Sequence, residues 1–83
     1  MQGEKYWLIM EHSSGEPYYY MGYYEKGLPC FNMAIADAVH FASQDNALQI
    51  HKVLDTIVPC EILILENNNV KQVSNFHHGN IHN

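Results

Sequence analysis

Apolar and polar positions change period along this chain, and each change marks an element. From Ser43 to Val58, SQDNALQIHKVLDTIV, the apolar residues Ala47, Ile50, Leu54 and Ile57 recur at helical spacing. At about 100° per residue they form one stripe, with Gln44, Gln49, Lys52, Asp55 and Thr56 largely off it. Ser43 is placed to cap the first turn by accepting from a free backbone N–H. Asp45 sits where the positive end of the helix dipole favours a carboxylate. Pro59 supplies the stop, because the residue before a proline is pushed out of the α region. This pattern predicts a helix over 43–58 that lays one face on a partner surface.

Elsewhere the period is two. Lys5 to Glu11, KYWLIME, is dense in β-formers and apolar on both faces, which predicts an inner strand. Ser13 to Pro17 is a turn by composition. Tyr18 to Glu25, YYYMGYYE, completes a hairpin. It places Tyr18, Tyr20 and Tyr24 on one face and Tyr19, Met21 and Tyr23 on the other, with Gly22 a natural bulge position. Lys26 to Pro29 reads as the next turn. Cys60 to Glu66, CEILILE, is apolar on both faces and predicts a central strand. Asn67 to Asn69 is a turn, since asparagine tolerates left-handed backbone, and Val70 to Ser74 forms a short returning arm.

Cys30 to Ala42, CFNMAIADAVHFA, admits two readings. Alanine density favours helix, whereas Leu-Pro-Cys-Phe favours extended chain. The preferred path is a short strand near Cys30 to Met33 and an irregular or single-turn helical piece near Asp37 to Phe41; a helical hairpin is the rival. The predicted fold is therefore α+β: a small antiparallel sheet of three to five strands with one main helix packed on one face. Residues 1–74 form the domain, and 75–83, NFHHGNIHN, a flexible tail.

Composition narrows the function classes. The chain has 83 residues, 47% of them hydrophobic, which predicts one folded domain. Nine acidic residues face four lysines and no arginine, for a net charge of −5. Nucleic-acid binding draws affinity from phosphate neutralisation and specificity largely from arginine forks, so this balance argues against direct nucleic-acid binding. It argues equally against anionic membrane surfaces. No run of apolar residues is long enough to span a bilayer. The opening MQGEKYWLIMEH lacks the basic start and apolar core of a secretion signal, so a cytoplasmic location is expected.

Candidate chemistry is sparse. Cys30 and Cys60 belong to no CxxC motif and read as small buried hydrophobes, their redox state left open. Asp37 and His40 are three apart and could meet on a helical turn, with Cys30 joining in space. Three common residue types often permit such a grouping, and no established catalytic motif is present. The expectation is a protein that is not an enzyme and needs no cofactor. His77, His78 and His82 fit no closed metal geometry, because Gly79 interrupts the helix that would align them. No metal site is expected. His40 and His51 read as ordinary packed or half-exposed side chains.

The tyrosine strand is the strongest site candidate. Tyr18, Tyr19, Tyr20, Tyr23 and Tyr24 occupy five of seven consecutive positions, flanked by Glu16 and Glu25. Tyrosine offers a large, stiff contact area with a polar tip, which is why protein interfaces enrich it. The bland alternative is that individual rings complete a small core. The partner expected is another protein, or a second copy of this chain.

Across Tyr18 to Glu66, the tyrosine-rich strand followed by AVHFASQDNALQIHKVL feeding a strand resembles small single-domain accessory proteins of phages and other mobile elements. These include inhibitors of host defence such as anti-CRISPR proteins. The resemblance implies a stoichiometric binder, acting in the host cytoplasm if phage-encoded. It transfers no functional residue.

Overall fold

A computed structural model describes residues 4–72. The strands are β1 (Lys5–Glu11), β2 (Tyr18–Glu25), β3 (Leu28–Asn32), β4 (Glu61–Glu66) and β5 (Asn69–Gln72); the helix α1 spans Gln44–Leu54. The five strands form one sheet in the order β3-β2-β1-β4-β5, with every pairing antiparallel. The predicted α+β class holds. The expected tail, 75–83, lies outside the described residues.

Two turns set the register by left-handed backbone. Lys26 (φ 53°) and Gly27 (φ 82°) join β2 to β3, and Asn67 (φ 53°) and Asn68 (φ 65°) join β4 to β5. Two consecutive positive-φ residues make the tight hairpin turn whose twist matches the flanking strands. The first turn is shorter than expected, so Leu28 and Pro29 already belong to β3. Pro29 is tolerated because β3 is an edge strand.

β1 is the central strand. It runs beside β4 from Lys5↔Glu66 to Met10↔Glu61. On its other side β2 pairs with it only at Met10↔Tyr19 and Glu11↔Tyr18. Beyond Tyr20 the two strands part, and Val39 to Phe41 fills the wedge. Val39 N–H donates to the Tyr20 carbonyl at 3.0 Å, and Trp7 and Phe41 exchange backbone bonds of 2.8 and 2.9 Å. This crossing segment resolves the ambiguity of Cys30 to Ala42. A 3-10 turn at Ile35–Asp37, earlier than the piece expected near Asp37 to Phe41, follows β3, and the chain then passes through the splayed sheet with Phe41 in a β-bridge; no helical hairpin forms.

Gly22 makes the parting possible. It adopts φ +95°, and a Cβ there would lie 3.1 Å from the Val39 Cβ. The β2–β3 register shifts between Tyr20 and Tyr24, the bulge that the glycine predicted.

The crossing gives the sheet a core on each face. On one face, Ile9, Tyr20 and Ile62 are buried against Ala47 and Leu54 of α1, with Trp7, Phe31, Val39 and Phe41 packed around them. On the other, Leu8, Tyr19, Leu63 and Leu65 cluster with Ala38 from the segment after β3. Leu8, Ile9, Leu54 and Ile62 are the largest fully buried side chains. Each contributes about 1.5–3 kcal/mol by removal from water.

α1 is one turn shorter than predicted. The Ser43 hydroxyl accepts from Asn46 N–H at 3.2 Å, as expected of its cap. At the far end the regular helix stops at Leu54, and Asp55 turns its carboxylate to accept from Cys60 N–H at 3.0 Å. The Thr56 hydroxyl donates to the Val53 carbonyl. Ile57 is consequently 45% exposed rather than part of the buried stripe.

Gly22→Ala is expected to destabilise the protein by about 1–3 kcal/mol, the scale of one strained backbone residue. The midpoint of urea unfolding, with an unchanged slope, measures it.

Candidate functional site

Register decides which tyrosines can meet a partner. Tyr19 lies opposite Met10 on β1 and Asn32 on β3, and Tyr20 lies opposite Phe31. Tyr19 has a strand on either side, whereas Tyr20 has β3 on one side and Val39 on the other, and both rings are core, 8% and 6% exposed. The Tyr20 ring packs tilted against Phe31 at 5.8 Å and edge-on to Tyr24 at 6.4 Å. Burial raises the Tyr20 phenol above its ordinary range, aided by Tyr24 and Cys30 nearby.

Past Tyr20 the strand loses β1. From Met21 to Glu25, β2 has no partner on β1; past the bulge, Tyr24 and Glu25 pair with Pro29 and Leu28 of β3, so the hairpin runs on from the sheet as a two-stranded arm. Tyr23 and Tyr24 ride on this arm at 49% and 44% exposure, with Leu28 at 61%. They do not form a flat patch. Tyr24 continues the face of Tyr20, with α1 on the same side of the sheet. Tyr23 lies on the other face, its hydroxyl donating to the Met21 sulfur at 3.8 Å. Tyr18 is half-buried at the opposite end of β2.

The acidic residues divide likewise. Glu25 closes the arm, its carboxylate accepting from the Cys30 thiol at 3.8 Å. Glu16 lies in the β1–β2 turn at the other end of the strand. Of the seven residues singled out, the structure groups Tyr23, Tyr24 and Glu25, and places Tyr19 and Tyr20 in the core. Leu28 joins the exposed group. Its signal is an apolar residue directly after a Lys-Gly turn, visible once that turn is read as two residues.

The thiols and imidazoles have separate neighbours. His40 donates from Nε2 to the Ile35 carbonyl at 3.1 Å and packs its ring 5.6 Å from Tyr6. The Cys30 thiol donates to Glu25, and no hydrogen bond joins Cys30, His40 and Asp37. Burial and the Glu25 carboxylate raise the Cys30 thiol. Cys60 donates to the Val58 carbonyl at 2.9 Å, while its own carbonyl accepts from His51 Nε2 at 2.9 Å. Burial, with Asp55 and Glu11 nearby, pushes its thiol up to about 11. Both cysteines are free thiols. Among the described residues no group of three or more His, Cys, Asp or Glu could hold a metal ion, and no helix is long and apolar enough to cross a membrane.

Other charged groups brace the sheet ends. His12 Nε2 donates to Glu61 Oε2 at 2.8 Å, tying the β1–β2 turn to β4. Glu11 accepts from the backbone and hydroxyl of Ser13 at 2.9 and 2.7 Å. These contacts hold the end of the sheet opposite the arm. No family model, curated protein or solved structure matches the chain.

Tyr20→Ala should cost about 3–5 kcal/mol as an aromatic core truncation, whereas Tyr23→Ala should stay within about 0.5 kcal/mol; chemical denaturation of the two variants separates core ring from surface ring. Cys60 makes a second prediction. Its folded thiol, near 11, lies above the ordinary value of 9.0, so the native state holds the proton longer than the unfolded chain. The associated stability is complete below pH 9.0 and is lost as pH rises towards 11. Unfolding midpoints across this window should fall for the wild type, with the fall reduced in Cys60→Ala.

Proposed function

We propose that this chain is a small acidic protein-binding module whose contact surface is the β2–β3 arm. The observation that carries this reading is the arm itself. It leaves the sheet with Tyr23 and Tyr24 exposed on its two faces and Leu28 beside its turn. A two-stranded ribbon is marginal in water and gains from being covered. Exposed tyrosines concentrate binding energy when they enter desolvated pockets. A projecting arm with rings on both sides suits a cleft in the partner better than a flat surface. Glu25, at the tip, favours a partner with a basic rim, since complementary charge speeds and orients docking.

Binding is the proposed mechanism, with one chain occupying one site on its target. The resemblance to mobile-element accessory proteins makes the target a component of a host defence complex, inhibited by occupancy in the manner of anti-CRISPR proteins.

Capture from a host-cell lysate on immobilised wild-type protein, with Tyr23→Ala/Tyr24→Ala in parallel, tests the reading. A target retained by the wild type at a defined stoichiometry should be lost from the double variant. Each ring should be worth about 2 kcal/mol or more in a titration with the purified target. Equal retention by both proteins, with both folded by circular dichroism, removes the arm as the interface.

A further inference from the structure

The outer edge of β3 has a donor and acceptor pattern that fits a second copy of itself. Among the described residues, β3 has one strand neighbour, β2. The Lys26-Gly27 turn makes Glu25 and Leu28 the closing hydrogen-bonded pair, so Pro29, opposite Tyr24, points its backbone outwards. Phe31 points outwards too. Its cross-strand neighbour Tyr20 turns its carbonyl to Val39, away from β3. The open edge thus offers the N–H and C=O of Phe31 and the C=O of Pro29, which has no N–H.

Edge strands are usually protected by charge, lysine above all. β3 is short and carries Pro29, yet it lacks charge: Gly27 to Ala36 is uncharged throughout. The opposite edge, β5, carries Lys71, which lies 3.5 Å from Glu66. In a chain of net charge −5, an uncharged edge is where two copies can approach with least repulsion. This selects a second copy over an acidic or basic foreign strand, for which β3 has no complementary charge.

We infer that two copies pair antiparallel through β3 about a dyad at Phe31, forming a continuous sheet across both molecules. In this register Phe31 exchanges two backbone hydrogen bonds with Phe31 of the second copy. The Pro29 carbonyl lies opposite Met33, and Cys30 lies opposite Asn32 in a wide pair. The missing Pro29 donor falls at the end of the paired stretch, where water reaches the unmatched carbonyl. The Phe31 ring, held 5.8 Å from Tyr20 within each copy, meets its own image across the dyad, the aromatic pairing that stabilises neighbouring strands. Leu28 and Met33, 61% and 52% exposed, gain cover. Each copy uses its one uncharged edge, so the assembly closes at two.

This pairing goes beyond the proposed partner contact, which uses the tyrosines and not the strand edge. Sedimentation equilibrium over a concentration series tests it. The wild type should approach twice the monomer mass. Leu28→Lys/Met33→Lys should weaken association by about tenfold or more, because lysines on an edge strand oppose edge-to-edge pairing, with an unchanged circular dichroism spectrum. Tyr23→Ala/Tyr24→Ala should leave self-association intact. Asn32→Cys, mildly oxidised, should give a disulfide-linked dimer through Cys30 of the other copy, and Cys30→Ser/Asn32→Cys should give none. A wild type that stays monomeric up to its solubility limit overturns the inference. So does a dimer that survives the lysine pair, or one abolished by the tyrosine pair alone. Loss of target capture by the tyrosine variant, by contrast, bears only on the arm.

Discussion

Backbone groups removed from water must find partners, and β1, the central strand, meets this demand with three neighbours rather than two. β4 lines one side. On the other, β2 serves the C-terminal end and Val39 to Phe41 serves the N-terminal end. Much else follows from this division. Because Phe41 bonds to Trp7, the chain enters α1 on the face of Ile9 and Ile62, while Ala38 stays with Leu8 and Leu63 on the other. Because the wedge occupies the place beside β1, the far half of β2 must leave the sheet. Gly22 supplies both the backbone conformation and the space for Val39.

The elements legible in the sequence were those whose pattern is local. Alternation over KYWLIME and YYYMGYYE marked β1 and β2 with the bounds observed, and Ser43 marked the helix start. The faces of the tyrosines also followed from period two. Their burial did not, because it depends on where β1 stops accompanying β2. That point is fixed by a bridge between residues 34 apart in sequence, Trp7 and Phe41. Cys30 to Ala42 was ambiguous for the same reason: a crossing segment with one isolated bridge has no period. The helix stops at Leu54, short of the limit that Pro59 sets, and the Asp55 carboxylate bound to Cys60 N–H accompanies that end.

The division of β2 also separates two demands on tyrosine. Tyr19 and Tyr20 are large rings that fill a small core on either face. Tyr23 and Tyr24 repeat the residue type where there is no core left to fill. A short chain buries a modest share of its surface, and leaving two rings on a ribbon without β1 forgoes some of that burial. The binding function proposed for the arm would recover it on contact with a partner.

The threaded sheet also constrains the order of folding. The β2–β3 and β4–β5 hairpins close through two-residue turns and can form early. β1 instead pairs with β4 across the length of the domain, Lys5 with Glu66. Loop-closure entropy must be met before such contacts give any return. Val39 to Phe41 cannot settle between β1 and β2 until both strands are present, and α1 has no complete surface until that segment is seated. The central strand of the finished sheet is thus completed late, and folding should be slow for so small a domain, with the two hairpins as its earliest structured units.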